Sequence, residues 1–421
     1  MGSNRPRPRP RRPRDAPVAT KQPTIASRNN EEEPTVGVPT ASTTVHDFPD
    51  DVLELVLLRL GSSVSLVRAA SACKRWCRVA ADAGFLARFR LLRVPLILGL
   101  YHNGGSRPVF LPSPTLGIPV SQQSFSLDFL PEVDGTWETV DSRDGLLLLR
   151  NMYRTPSRSR RSDPDLAVCE PKTRRCRAII LPDRLSGRKC LGVFLLRGGA
   201  TGRAGGDLCT SMSNFRVMVV LLREHMLARR RGVPEACVYQ ATGNRSWRDT
   251  NCTWKGRNID IPSATACFCF AGRAGGSLYW AIKDAGGAAL VIDEATAAVS
   301  LEALPESIEG WHDGARFFRV VGGEGAAPRA VRLVDRDFRV FSRLKGGGEW
   351  VLEKLVRYPG RATIVAAHET CVVVESWKGK RRFFVDLETM AVVERVWMGK
   401  RHNYAGPAYP YVLPWPPSLN A

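Results

Sequence analysis

The sequence predicts an α+β multidomain protein in which a small all-α module of three short helices precedes an all-β, six-bladed β-propeller. Three observations lead to this prediction. Residues 48–85 repeat apolar side chains at a helical period. Beyond residue 93 the apolar runs are short and separated by Gly, Pro and Asp, which is typical of an all-β region. A turn that combines an acidic residue with Thr recurs at irregular intervals, as expected for propeller blades with loops of different lengths.

Residues 1–45 precede the helical module and are rich in Pro, Arg, Ser and Thr, with no hydrophobic period. Such a segment cannot bury enough apolar surface to offset the entropy lost on ordering, so we expect it to be disordered. The Arg-rich stretch from Arg5 to Arg14 is interleaved with Pro and is a candidate nuclear-localisation signal. The apolar segment that a secretory signal requires is missing from this region.

Residues 46–93 form the predicted helical module. Pro49 fixes the entry of the chain, and Asp51 with Glu54 has the spacing of a capping box, so the first helix should begin near Asp51. Only two side chains in Val52–Leu60 are charged, so apolar groups surround nearly the whole helix. A unit close to the limit of ~40 residues cannot cover such a helix by itself. The surplus apolar surface predicts a binding partner.

The order of these residues resembles the F-box motif, which has a Leu-Pro start, a Leu-rich helix, a Leu-Val-Arg helix and a Cys-Lys-x-Trp segment followed by Asp and Phe. The matching segments are Phe48-Pro49, Asp50-Asp51, Val52 to Leu60, Leu66-Val67-Arg68, Cys73-Lys74-Arg75-Trp76, Asp82 and Phe85. The main departure is Phe48, where the family usually has Leu. Because both side chains are apolar, the same contact is possible.

The resemblance implies a partner and a cellular role. F-box modules bind the small SKP-type adaptor of a cullin-RING ubiquitin ligase, the SCF complex, while the rest of the chain selects the substrate. The positions that match the motif are the candidate adaptor-binding or interface-supporting residues, namely Phe48, Pro49, Val52, Leu53, Val56, Leu57, Leu66, Val67, Cys73 and Trp76. The same resemblance favours the cytoplasm or the nucleus over a chloroplast, which the basic start would otherwise suggest.

The region 94–421 contains the predicted strands. They are rich in Val, Leu and aromatic residues and cover 145–149, 215–222, 277–282, 316–321, 330–334, 371–374 and 382–385. In the repeated turn, a carboxylate can accept backbone N–H groups while a Thr hydroxyl caps the far side. Its three clear copies are Glu170 to Thr173, Asp293 to Thr296 and Asp386 to Thr389, and weaker copies are Tyr239 to Thr242 and Val340 to Arg343.

This region also resembles the propeller-like associated domain of grass F-box proteins. The segments that carry the resemblance are Pro95 to Gly99, Asp144 to Leu148, Leu278 to Trp280 and Tyr409 to Pro417. Six blades fit a region of this length at ~50 residues per blade. The Trp residues that recur through it are expected to pack between blades, and the alternative for two or three of them is a place on a binding face.

No catalytic, cofactor or metal site is predicted. The Gly-rich stretch 198–206 lacks the Gly-Lys-Ser/Thr ending of a phosphate loop, and no nucleophile motif is present. The eleven cysteines are scattered without zinc spacing and should be reduced, with Cys73, Cys77, Cys267 and Cys269 as small core residues. No apolar run reaches the ~18 residues that span a bilayer, so we expect no membrane association.

The net charge of +20 keeps one alternative open, a nucleic-acid-binding protein whose F-box recruits a partner. Besides the N-terminal tail, basic clusters occur at 158–161, 229–231 and 378–382, where loops are expected. Most of the basic residues are Arg spread along the whole chain, which favours a solvated surface. The preferred interpretation is therefore a non-catalytic substrate receptor that binds an SKP-type adaptor, and through it cullin and RING subunits, together with an unknown target protein.

Overall fold

The computed structural model of the protein describes residues 48–92, 96–113, 120–153, 163–182, 185, 188–197, 210–224, 231–240, 261–262, 268–283, 287–305, 318–323, 327–343, 349–357, 360–376, 382–395 and 407–413. The chain divides into two compact units, Met1–Pro49 and Asp50–Ala421. The predicted disordered tail, 1–45, lies outside the described residues. No helix within the described ranges is both long and apolar enough to cross a membrane.

The second unit begins with four short helices, one more than the sequence predicts. They are α1 (Asp50–Leu58), α2 (Ser63–Ala70), α3 (Lys74–Ala80) and α4 (Ala83–Leu92). Side chains at the breaks explain where two of them begin. Ser62 Oγ accepts the backbone N–H of Ser65 at 3.1 Å at the start of α2. Asp82 Oδ1 accepts the N–H of Phe85 at 2.9 Å, which caps the unpredicted α4.

The described strands of the β region form five hydrogen-bonded sheets, and the eight-stranded one consists of two antiparallel groups of four that are joined by a short parallel pairing. We count each antiparallel group as one blade, which gives blades 1 to 6. The strands of blades 1 to 3 are β1 (Ile97–His102), β2 (Val109–Pro112), β3 (Gly135–Arg143), β4 (Leu146–Tyr153), β5 (Leu166–Glu170), β6 (Arg175–Ile179), β7 (Lys189–Leu196), β8 (Arg216–Glu224), β9 (Arg231–Gln240) and β10 (Ile261–Pro262). Blades 4 to 6 contain β11 (Phe268–Ala274), β12 (Ser277–Ile282), β13 (Ala288–Asp293), β14 (Val299–Ala303), β15 (Phe318–Val321), β16 (Arg329–Val334), β17 (Asp337–Arg343), β18 (Trp350–Arg357), β19 (Ala362–His368), β20 (Cys371–Ser376), β21 (Arg382–Asp386) and β22 (Val392–Arg395), and β23 (Ala408–Val412) follows.

The last described strand closes the propeller. Blades 2 to 6 each take four consecutive strands, but blade 1 has the order β2-β1-β23, so its innermost strand comes from the far end of the chain. Tyr411 pairs with Gly99, and Tyr409 pairs with Tyr101. The innermost strands, β23, β3, β7, β11, β15 and β19, are neighbours around one ring. Six blades, as predicted from the sequence, therefore surround a common centre.

Neighbouring blades share their hydrophobic cores. In β4, Leu146 and Leu148 pack toward blade 3, whereas Leu147 and Leu149 pack toward blade 1. Successive strand residues point to opposite faces, and here both faces are covered by another blade. This arrangement explains why the strands read as continuous apolar runs. Trp137 and Trp280 lie in such cores, as expected for the Trp residues of this region.

The predicted acid-and-Thr turns all follow the third strand of a blade. Asp293 Oδ1 accepts the Thr296 N–H at 2.7 Å, and Asp386 Oδ1 accepts the Thr389 N–H at the same distance. In the turn after β5, the Thr173 hydroxyl donates to the Glu170 carboxylate. The positions of the three turns are confirmed, and the predicted contact of the carboxylate with backbone N–H groups is confirmed for Asp293 and Asp386. The two weaker copies coincide with the ends of β9 and β17, and their loops lie outside the described residues.

The basic clusters are described only in part. Residues 158–161 lie outside the described ranges, and Arg231 begins β9. Arg382, at the end of the third cluster, begins β21, in agreement with the predicted strand 382–385, and its side chain is buried rather than on a solvated loop. Its guanidinium pairs with Glu375 at 3.3 Å and donates to His102 Nε2 at 2.7 Å, so it links blade 6 to blade 1. The eight cysteines in the described part of the chain are not in disulfides; Cys73, Cys77 and Cys269 are half-buried rather than in the core, and Cys267 is outside the described residues.

Gly272 lies where the innermost strands of blades 4 and 5 pair in parallel. Its φ is +139°, and a Cβ there would lie 2.1 Å from the Val320 carbonyl oxygen. We predict that Gly272→Ala destabilises the propeller by at least about 1–3 kcal/mol, the cost of a backbone conformation reserved for Gly. Thermal unfolding followed by circular dichroism measures the effect. Gly360→Ala is the matched control, because its Cβ meets nothing within 4 Å. Equal melting temperatures for the two variants would contradict this prediction.

His102 makes the closed ring sensitive to acid. Burial and the nearby charge of Arg382 lower the pKa of His102 from 6.5 to about 3. Between these values the unfolded chain binds a proton that the folded chain rejects, so folding stability decreases as the pH falls from 6.5 to about 3. We predict that the free energy of unfolding of His102→Gln depends less steeply on pH in this range. The difference in slope should correspond to about one proton taken up on unfolding. Denaturant titrations of both proteins over this pH range test the prediction. At about pH 8, where His102 is neutral in the folded and the unfolded chain, the difference in the free energy of unfolding gives the cost of the substitution itself. Identical pH slopes would show that His102 does not titrate this way.

Candidate functional site

Helix α1 has two apolar sides, and only one of them is buried by the protein. Leu53 and Leu57 are inside the helical core, with 3% and 0% exposure. At about 100° per residue, Leu55 points away from Leu53 and Leu57, and Val52 and Val56 lie on the adjoining flank of the helix. Leu55 is 62% exposed and Val56 is 48% exposed, while Val52 is half-buried. We call this surface of Val52, Leu55 and Val56 the outer face of α1.

Two sets of ion pairs hold α1 in place. The Asp50 carboxylate accepts Arg75 Nε at 2.8 Å and Arg78 Nη2 at 3.0 Å, which ties the start of α1 to α3. The hydrogen bond from Arg75, together with that from Arg78, keeps the pKa of Asp50 below its usual value. Glu54 forms an ion pair with Arg88 of α4. These ion pairs use Asp50 and Glu54 of α1, so they hold the helix without covering its outer face.

The core beneath the outer face is built from all four helices. Phe85 and Phe89 of α4 are fully buried, and their rings lie 5.8 Å apart. They pack with Leu53, Leu57 and Leu66, and Trp76 closes the edge of this cluster. The aromatic pair fills the space that a three-helix module would leave open.

The ten candidate residues fall into three groups. Phe48, Pro49, Val56 and Val67 are exposed; Val52, Cys73 and Trp76 are half-buried; and Leu53, Leu57 and Leu66 are buried. Buried side chains can support a binding surface but cannot touch a partner without a rearrangement of the core. Cys73 is the residue that precedes α3, and its side chain does not cap that helix.

Leu55 is absent from the candidate set but is the most exposed large apolar residue of α1. A helical projection of the sequence could have found it, because Leu55 lies about 200° around the helix from Leu53. The apolar character of the helix does not by itself distinguish its two sides. The other helices decide which side is covered.

The outer face is suited to binding rather than to catalysis. Contiguous exposed apolar side chains are costly in water and commonly mark a site for a protein partner. No group of three His, Cys, Asp or Glu side chains within the described ranges is placed to hold a metal ion.

The helical module matches a known family. A family model described as F-box-like covers residues 45–93, so the chain carries an F-box-like domain. The resemblance of residues 48–85 to an F-box is confirmed to this extent. No curated protein matches the sequence significantly.

Solved structures are similar only in a general way. The chain aligns with a structure in the nidogen/laminin complex at 10% identity and a TM-score of 0.37, covering 75% of this chain and 98% of the other. The luciferin-regenerating enzyme aligns at 9% identity and a TM-score of 0.32, covering 64% of this chain and 78% of the other. The Cps50 (Swd1) β-propeller domain of Myceliophteria thermophila aligns at 11% identity and a TM-score of 0.33, covering 66% of this chain and 91% of the other. The propeller assignment rests on the strand pairing of this chain.

The two sides of α1 should respond differently to truncation. We predict that Leu53→Ala destabilises the helical module by about 2–5 kcal/mol, because it leaves a cavity in the core. Val56→Ala on the outer face should change stability by less than about 0.5 kcal/mol. Hydrogen-exchange protection of residues 50–92 in the full chain reports both values. Similar losses of protection in the two variants would disprove the assignment of buried and outer sides.

Proposed function

We propose that the protein is the substrate-recognition subunit of an SCF-type ubiquitin ligase. The observation that carries this proposal is the exposed apolar outer face of α1 within an F-box-like domain. An SKP-type adaptor would cover this face and connect the chain to cullin and RING subunits. The chain would contribute no catalytic group of its own and would work in the cytoplasm, the nucleus or both.

The propeller supports the second half of this role. Its closed ring of blades gives a rigid body whose loops can vary without loss of the cores between blades. Such a body can hold a target protein at a fixed distance from the ligase. We further propose that this region is the associated domain of a grass-type F-box protein, on the segments that resemble that family. Two of these, around Gly99 and Tyr411, are paired strands of blade 1.

The proposal predicts that charge on the outer face abolishes adaptor binding. A double variant, Leu55→Asp with Val56→Asp, should bury two carboxylates against the adaptor and weaken binding by at least about 30-fold, the scale of a single hot spot. Co-expression of the full chain with an SKP-type adaptor, followed by calorimetric titration of the purified proteins, measures the loss.

Leu301→Asp is a matched control, because Leu301 is an exposed apolar residue of β14 with 47% exposure. It adds a carboxylate to the surface of the propeller and should leave adaptor binding unchanged. If the unmodified chain does not bind the adaptor, or if the double variant binds as tightly as the control, the proposal fails. Hydrogen-exchange protection of 50–92 must be retained in the double variant, so that loss of binding is not loss of folding.

A further inference from the structure

The centre of the propeller contains a cavity of about 720 Å³. Its walls include the ends of the innermost strands, and several arginines and carboxylates lie in them. A volume of this size is within the range of about 300–1,000 Å³ that is usual for small-ligand pockets. The cavity is therefore large enough for an organic anion or a short stretch of peptide.

Most charged groups in the wall already have partners. The Glu294 carboxylate lies between two arginines, with Arg143 Nη1 at 2.7 Å and Arg273 as a second ion pair. Arg273 also donates to Asp141 Oδ2 at 3.0 Å. Although burial opposes ionisation, Arg273 and Arg143 keep the pKa of Glu294 below its usual value. These pairs join blades 2 and 4 and have a structural role.

The remaining acidic groups in the wall are also engaged. Asp144 accepts the Thr210 hydroxyl at 2.9 Å, and Asp293 accepts N–H groups of its own turn. Glu369 lies 4.0 Å from Arg197. Within the described residues, none of these carboxylates forms an ion pair with Arg216, another arginine of the wall.

Arg216, the first residue of β8, differs from Arg143 and Arg273. Its Nε donates to the Arg197 carbonyl at 2.8 Å, but within the described residues no carboxylate lies within ion-pair distance of its guanidinium. Burial and the like charge of Arg143 lower the pKa of Arg216, and the attraction of Glu294 does not compensate. The wall of the cavity therefore contains a half-buried cation whose charge is disfavoured by its surroundings.

We propose that the central cavity binds a ligand through one carboxylate or phosphate group, and that Arg216 is the residue that pairs with it. The guanidinium presents planar N–H donors that match both anions in a bidentate arrangement. An incoming anion would supply a counter-charge to Arg216 without breaking the Glu294 pairs. The group could belong to a small molecule or to an acidic or phosphorylated peptide segment, since the recognition chemistry is the same. The inference does not depend on the proposed ligase role.

The test uses the full chain and defined probes. Inorganic phosphate, succinate, and a hexapeptide with one phosphoserine alongside its unmodified form are titrated calorimetrically at constant ionic strength. We expect at least one anionic probe to bind and Arg216→Gln to weaken it at least about tenfold, the loss expected for a charge-assisted hydrogen-bonded pair. Arg216→Lys should keep part of the affinity because it retains the charge.

Arg223→Gln is the matched control. Arg223 lies on the same strand, is exposed and pairs with Glu235, so its replacement removes one positive charge away from the cavity. Its affinity for the probe should stay within about twofold of the original. Tighter binding of the phosphopeptide would assign the anion to a protein segment, and tighter binding of phosphate or succinate would assign it to a small molecule.

Three results would overturn the proposal. The first is that no probe binds the original chain. The second is equal weakening by Arg216→Gln and Arg223→Gln, which would show general attraction to a chain of charge +20. The third is a lower melting temperature for Arg216→Gln with no recovery of binding in Arg216→Lys, which would give Arg216 a structural role. Adaptor binding by the same variants should be unchanged, so failure here is separable from failure of the ligase proposal.

Discussion

The pairing of β23 with β1 is the constraint on which the rest of the propeller depends. Sheets connected in series leave the first and last blades each with an uncovered face and an unpaired strand edge. Insertion of β23 as the innermost strand of blade 1 removes both problems, because it completes the sheet and brings blade 1 against blade 6. The link from Arg382 to His102 lies at this closure. Stability of one end of the β region is therefore tied to the other.

Closure also determines where polar groups can lie. The central strands of the blades are mostly buried between neighbouring blades, whereas the central cavity has several charged side chains in its wall. The cavity wall consequently collects Arg143, Arg273 and Glu294 from blades that are distant in sequence. Their mutual pairing makes a polar centre compatible with folding. Arg216 takes no part in these pairs, and it is the residue through which we propose that the cavity binds an anionic group.

The helical module solves a different problem with the same physical chemistry. It has too few residues to cover α1 on all sides, so its core uses one side and the outer face remains exposed. Phe85 and Phe89 of α4 contribute two large buried side chains to this small core. Asp50 and Glu54 fix the orientation of α1 through arginines on two other helices. The outer face is thus presented on a rigid support, as a binding surface requires.

The sequence by itself determined the features that depend on neighbouring residues. The helical period marked α1, the order of Pro49, Trp76 and their companions marked the F-box-like domain, and the acid-and-Thr pattern marked turns between strands. Such signals are local, because capping, turn geometry and side-chain alternation involve residues within a few positions. The tertiary structure decided that Leu53 is buried while Leu55 is exposed, that Arg382 pairs with His102, and that Arg216 has no carboxylate partner within the described residues. These outcomes depend on segments far apart in the chain, which meet only when the helices pack and the ring closes.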